Sequence, residues 1–351
     1  MKKAIIAMSG GVDSAVSAYL IKKQGYDCIG ATMRLFDKEE ETENSCCSLR
    51  DVEDAKQVAH RLGMEHYVFN FKDEFDDKVI KKFIHSYEIG ATPNPCIDCN
   101  RYLKFEKLFH RMKELGYDYI VTGHYARIEH NGERYLLKKA VDETKDQSYV
   151  LYSLTQEQLA HTLFPLGRYE KSEVRKIAEE NGFVNAKKHD SQDICFVPDG
   201  DYAAFIEEYG GKKYKKGNFV DKTGKILGEH KGIIRYTIGQ RKGLGLALPA
   251  PMYVCRKDIE KNEVVLCSNE ELFSKSLDAE GINWIAFDNP PESFSAKARI
   301  RYNQKEEEAK VDITGKDSAH IEFESPQRAV AKGQAVVFYD GDTVLGGGTI
   351  V

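Results

Sequence analysis

Short apolar runs alternate with amphipathic stretches over the first third of the chain. Ala4 to Met8 is a strand-length apolar run ended by Ser9, Gly10 and Gly11, and Asp13 to Gln24 carries Val16, Tyr19 and Leu20 at helical spacing until Gly25 stops it. The pattern then predicts a strand over Cys28 to Phe36, a helix over Leu49 to Leu62, a strand over His66 to Phe71 and a helix over Asp73 to Tyr87. A further helix from Asn100 to Leu115 and a strand from Tyr119 to Thr122 follow. Such a βαβα rhythm implies an α/β fold with a doubly wound parallel sheet and helices on both faces. Ligands of such sheets sit at the carboxyl ends of the strands.

Two more helical stretches, Thr155 to His161 and Lys171 to Asn181, precede the segment Lys187 to Asp201, and near Tyr209 the pattern changes. Short β-rich runs between turn signals (Met252 to Arg256, Glu263 to Leu266, Ala296 to Tyr302, Lys310 to Ile313, Ala335 to Tyr339) suggest two small antiparallel β-rich domains. The expected divisions are 1–208, 209–275 and 276–351.

Composition changes this picture in three places. A chain of 351 residues exceeds one ordinary core, in line with several domains. Its 51 basic and 56 acidic residues leave a net charge of −5, which argues against gripping nucleic acid with the whole surface. Yet residues 211–242 hold ten basic residues against Asp221 and Glu229, a local excess of +8 suited to a phosphate backbone, or to a plain solvated face. No run is long enough for a membrane span, and Met1 to Met8 is too short for a signal peptide, so a cytoplasmic protein is expected. The eight cysteines then read as reactive or metal-binding thiols rather than a disulfide scaffold.

Ser9-Gly10-Gly11-Val12-Asp13-Ser14 lies where the first strand turns into the first helix. Glycines let backbone N–H groups approach an anion, the hydroxyls add donors, and the helix N-terminus supplies positive partial charge. The competing reading is a tight turn in which Asp13 or Ser14 caps the helix. The pattern is neither a Walker loop nor a dinucleotide fingerprint. It resembles the SGGxDS signature of the PP-loop ATP pyrophosphatases, and that resemblance implies ATP with Mg2+, AMP attached to a carbonyl oxygen, and pyrophosphate release.

Thr92-Pro93-Asn94-Pro95-Cys96-Ile97-Asp98-Cys99 breaks the backbone and then opens a helix. Cys99 should lie near the helix N-terminus with Arg101 and Lys104 close, a setting that favours thiolate. Cys-x-x-Cys is also half of a zinc site, without its second half here, and two inert thiols are a further reading. Cys195, within Ser191 to Val197, reads on its own as an ordinary strand cysteine. Cys46-Cys47 sits among Glu39 to Glu41 and Glu43, where acidity disfavours thiolate. Cys28, Cys255 and Cys267 fall in predicted strands as packing residues.

Asn94-Pro-x-x-x-Cys99-Asn, Thr122-Gly-His-Tyr125, Lys145-Asp-Gln-Ser148, Ser191-x-Asp-Ile-Cys195-Phe, Tyr236-Thr-Ile-Gly-Gln-Arg-Lys-Gly-Leu-Gly245 and Gly346-Gly-Gly348 occur in one order along nearly the whole chain. Together they resemble the tRNA-specific 2-thiouridylases. The resemblance implies that Cys99 is the nucleophile and Cys195 the persulfide carrier, the two pairing as a disulfide after sulfur release. It implies ATP bound by Ala7, Met8, Ser9, Gly10, Gly11, Val12, Asp13 and Ser14, with Met33 and Gly123 flanking the nucleotide. It further implies tRNA contacts from Asn94, Pro95, Cys96, His124, Lys145, Asp146, Gln147, Arg301, Tyr302 and Gln334. His124 and Lys145 to Gln147 also read as a hydrogen-bonded structural histidine and a solvated turn, and Arg301-Tyr302 as a surface residue and a core residue of a strand.

One departure matters: many members have Asp-x-x-Cys where this chain has Cys96-x-x-Cys99, so a general-base role does not carry over to Cys96. Thiols at 96, 99 and 195 could instead ligate a [4Fe-4S] cluster with one open iron site. The expected reaction is ATP-dependent 2-thiolation of the wobble uridine of tRNA, fed by a persulfide donor, a cysteine desulfurase or a relay protein. The alternatives are an amide-forming ligase built on the same loop and a zinc-stabilised RNA-binding protein.

Overall fold

The computed structural model describes residues 1–36, 49–186, 188, 194–197 and 199–351. The vicinal pair Cys46-Cys47 and the stretch Ser191 to Asp193 lie outside these.

A five-stranded parallel sheet is built from β1 (Lys3–Ala7), β2 (Asp27–Arg34), β3 (His66–Asn70), β4 (Tyr119–Val121) and β7 (Thr162–Leu163), in the order β3-β2-β1-β4-β7. Strand β1 explains the two faces. Its pleat sends Ile5 into one apolar cluster with Ile29, Phe75, Phe83 and Leu103, and Ala4 and Ile6 into the other with Val16, Val58 and Val121. Helices α1 (Val12–Lys23) and α2 (Leu49–Arg61) follow β1 and β2. Helix α3 runs without a break through Lys72–Phe75, Asp76–Ile80 and Lys81–Glu88, and its middle turns are wide, i→i+5 turns. Helix α4 runs likewise through Pro95–Asp98, Cys99–Lys107 and Leu108–Glu114. Three short helices, α5 (Gln156–Ala160), α6 (Lys171–Glu180) and α7 (Tyr202–Tyr209), complete the layer.

Several expectations are corrected. Helix α4 opens at Pro95, not Asn100, because Asn94 caps it by accepting the Cys96 N–H (3.2 Å) and proline is preset for the first helical position. Cys195 lies in a turn, not a strand. The strand over Ala296 to Tyr302 ends at Arg299, leaving Arg301 and Tyr302 in the turn beyond it.

The second β-rich region is a mixed sheet, not an antiparallel one: β8 (Gly217–Val220), β9 (Ile226–His230), β10 (Tyr253–Asp258) and β11 (Glu263–Cys267) take the order β10-β11-β8-β9, with β11 and β8 parallel. The last region is a six-stranded closed barrel of β12 (Phe273–Trp284), β13 (Ser293–Arg299), β14 (Glu307–Ile313), β15 (Ser318–Arg328), β16 (Ala335–Asp340) and β17 (Thr343–Ile350), closed by pairing of β12 with β17. A hairpin that the sequence pattern did not predict, β5 (Ala126–His130) and β6 (Tyr135–Lys139), extends this sheet from the first domain through Lys138 opposite Thr343. Among the described residues no helix is long and apolar enough to cross a membrane.

Candidate active site

The phosphate loop is fixed from behind. Ser14 folds it by donating to the Gly11 carbonyl (2.9 Å) and accepting the Ser9 N–H (3.3 Å). Gly10 has φ +74°, and a Cβ there would lie 2.4 Å from the Asp51 carbonyl oxygen, so only glycine fits. Its carbonyl accepts from Asn185 (3.0 Å) and Lys188 (3.3 Å), and the Lys188 ammonium also bonds to Asp51 (2.5 Å) and Asp54 (3.0 Å). Those bonds raise the Lys188 pKa against the opposing pull of burial.

Asp13, in the first turn of α1, would repel a polyphosphate. It is held by Lys171 at 2.7 and 2.8 Å and by the Tyr125 hydroxyl at 2.9 Å. The helix N-terminus therefore faces its ligand with that negative charge countered. A Cβ on Gly123 would lie 3.0 Å from Asp13 and from the Ser14 nitrogen, so glycine keeps the front of the loop open. Ala7 and Met8 lead into the loop, and Met33 stands half-buried near the end of β2. These features fit a nucleotide phosphate group. Lys171, Asn185, Lys188 and Asp51 carried no signal in the sequence, because only the fold brings them to the loop.

The cysteines occupy a second centre. On α4, Cys96 is exposed and Cys99 half-buried. Because α4 opens at Pro95, Cys96 takes its first turn and Cys99 follows it. Asp98 turns inward to Lys82 on α3 (2.6 Å), while burial raises its pKa against the opposing effect of Lys82. Arg101 lies over the rings of Tyr102 and Tyr152, each 5.9 Å from the guanidinium carbon. The turn carrying Cys195 is anchored by Phe196, whose ring sits 5.7 Å from Phe75, 5.2 Å from Phe83 and 5.1 Å from Phe205. Cys99 and Cys195 thus border the same apolar core. Among the described residues no three His, Cys, Asp or Glu side chains are grouped to hold a metal ion.

Of the residues expected to contact RNA, Asp146, Tyr302 and Gln334 bridge the barrel and the first region. Buried Asp146 accepts from Ala140 and Ser148 and lies 3.6 Å from Arg299. The Gln147 amide oxygen accepts the Tyr125 N–H (3.0 Å). The Tyr302 hydroxyl donates to the Asp146 carbonyl (3.3 Å), and burial raises its pKa. Arg301 donates to the Ala329 carbonyl, and burial followed by Arg328 lowers its pKa. Gln334 donates to the Thr92 carbonyl (2.7 Å), just upstream of Asn94 and Pro95. Lys145 is half-exposed, whereas His124 is buried. In the basic stretch, Lys212, Lys216, Lys222 and Arg235 form ion pairs with Glu88, Glu229, Glu271 and Glu207, so its +8 is partly spent within the chain.

Comparison with known proteins agrees with this layout. Residues 2–199 match the family described as tRNA methyl transferase HUP domain, 203–268 its PRC-barrel domain, and 274–350 the aminomethyltransferase beta-barrel domain. The chain is 51% identical over 353 residues to a tRNA-specific 2-thiouridylase MnmA of Clostridioides difficile, covering 99% of this chain and 98% of that protein. It is 53% identical over 355 residues to the protein of that name from Acetivibrio thermocellus, covering 99% of each. Among solved structures, the U34-tRNA thiolase NcsA of Methanococcus maripaludis with its [4Fe-4S] cluster is 20% identical, with a TM-score of 0.35 over 59% of this chain and 67% of that one.

Proposed function

The chain belongs to the tRNA-specific 2-thiouridylase family and is an ATP-dependent tRNA-uridine 2-sulfurtransferase, and from that premise we propose how its two centres divide the reaction. Ser9 to Ser14 would hold the phosphates of ATP, and Mg2+ would supply charge neutralisation for pyrophosphate release. The C2 oxygen of the wobble uridine attacks the α-phosphorus; a C–O–P linkage forms and pyrophosphate leaves. The poor leaving group at C2 has then become AMP.

Cys195 accepts sulfur as a persulfide from a cysteine desulfurase or a relay protein. The terminal persulfide sulfur bonds to C2 as the C2–O bond breaks and AMP departs. The Cys99 thiolate then attacks Sγ of Cys195, and the S–S bond to the transferred sulfur breaks with its electron pair going to the sulfur on C2. The pair ends as a disulfide that a thiol reductant reopens. Thiolates on a persulfide are well suited to this exchange. Cys96 and Tyr302 are assigned to the entering uridine, whose base must be extruded from its stack to reach the cysteines. The enzyme acts in the cytoplasm, on tRNA attracted in part by the basic stretch.

The observation that carries this reading is the pairing of an anion cradle with two cysteines on the border of one core. An amide-forming ligase requires an amine site rather than paired thiols. The test is incubation with unmodified tRNA, ATP, Mg2+ and a persulfide source, followed by nucleoside analysis. Wild type should form 2-thiouridine, and Cys99→Ser and Cys195→Ser should each lose at least ~10³-fold. Thiolation retained in Cys195→Ser would remove the persulfide role.

A further inference from the structure

Lys104 spans the gap between the two centres. In the wide section of α4 the hydrogen bonds reach five residues back, as from the Leu108 N–H to the Leu103 carbonyl, so Lys104 begins the turn directly after that of Cys99. Its ammonium lies 3.4 Å from Nε2 of His124. That imidazole is fixed on its far side by Thr122, 2.7 Å from Nδ1, and packs between the rings of Phe105 and Phe164 at 6.0 and 5.7 Å. Burial, and then Lys104 itself, keep His124 well below its ordinary pKa, so it is uncharged at neutral pH. The assignment that fits both contacts has Nδ1–H donating to Thr122 and Nε2 accepting from Lys104.

The residue before His124 is Gly123, the glycine that leaves the front of the phosphate loop open. The lysine is therefore tied at the loop's mouth while growing from the cysteine helix. Neighbouring cations are committed elsewhere: Arg101 to two aromatic rings, Lys171 to Asp13, and Lys188 to Asp51 and Asp54. Lys104 is half-buried and rests on a weak imidazole contact, a long hydrogen bond that a stronger acceptor displaces at little cost.

We propose that Lys104 is a further catalytic residue, whose ammonium contacts the phosphate of the adenylated uridine. This rests on the adenylate route given above. When the C2 oxygen bonds to the α-phosphorus and pyrophosphate leaves, the phosphodiester so formed carries one negative charge. When sulfur bonds to C2 and the C2–O bond breaks, the electron pair stays on oxygen and AMP leaves with a second. Lys104 neutralises this growing charge, and His124 positions it.

The test compares wild type, Lys104→Met and Lys104→Arg for 2-thiouridine formation and AMP release under single-turnover conditions, with unfolding midpoints measured alongside. Lys104→Met should lose about 100-fold in rate, the scale of removing one preorganised charge donor, with KM for ATP and tRNA changed less than threefold. Lys104→Arg, which keeps the charge and reports even if the methionine variant folds poorly, should recover at least tenfold of that loss. Thiolation by Lys104→Met within threefold of wild type, or an effect on KM alone, overturns the proposal while leaving the function intact. A wild type that releases AMP from ATP and tRNA without thiolating would count against the sulfur-transfer reading, not against Lys104.

Discussion

The phosphate loop and the cysteine centre are built in opposite ways. The loop itself is local, one strand, six residues and one helix with Ser14 bonding back to Ser9 and Gly11, and its distant supports, Lys171, Asn185 and Lys188, come from the same α/β region. The cysteine centre is assembled from afar. Its helix is capped by Asn94 and braced by Lys82 of α3, the segment leading into it is held by Gln334 of the barrel, and Cys195 hangs on a turn nailed down by Phe196. A local site tolerates change at a distance. An assembled one should fail whenever any supporting layer loosens, without harm to ATP binding.

Removal of the Phe196 ring is the strongest challenge to that contrast. Phe196→Ala empties the space between Phe75, Phe83 and Phe205 and should cost about 3–5 kcal/mol of stability. Denaturant unfolding measures this, and at temperatures where the variant stays folded, sulfur transfer should fall further than ATP binding. Equal losses in both would show that the centres are not separable.

Gly10→Ala probes the other side. The left-handed backbone and the approach of Asp51 predict about 1–3 kcal/mol of local strain, read as roughly ten- to a hundred-fold weaker ATP binding by calorimetry. Persulfide loading of Cys195, followed by mass spectrometry, should be unchanged. Loading that fell in parallel with ATP affinity would break the comparison.

His124, at the junction, gives the smallest effect. Its folded pKa lies well below 6.5, because burial opposes the charged form. The unfolded chain therefore takes up a proton that the folded one refuses, and stability is lost as pH falls below about 6.5. One unit lower the loss from this group is about 1.4 kcal/mol. Urea unfolding at pH 7.5 and 5.5 should show it, and His124→Asn should flatten the slope by that amount; an unchanged slope would mean that His124 charges freely.

The same contrast governs what could be read in advance. The βαβ alternation, the loop and the turn at Gly25 follow from periodicity and glycine placement, so α1 and β1 emerge within a residue or two of expectation. Two barrel strands escape for physical reasons. Pro326 interrupts β15, whereas Gly346 to Gly348 in β17 look like breakers yet are required, because a Cβ at those positions would run into Trp284, Tyr152 and Ile282. The hairpin β5–β6 has too few apolar residues to declare itself. The start of α4 was legible, since Asn94-Pro95 is a capping pair, but the two prolines drew attention to a loop. Lys171 could not be foreseen: it meets Asp13 across 158 residues of chain.

The attachment of β6 to β17 has a consequence for synthesis. Lys138 leaves the ribosome long before Thr343, and until then the hairpin presents an open strand edge. Folding that proceeds from the N-terminus would complete the nucleotide loop early but leave the seam with the barrel unfinished, because Tyr302 and Gln334 arrive late. A nascent chain could thus hold ATP before it could modify anything, and that exposed edge is where a chaperone would be of most use.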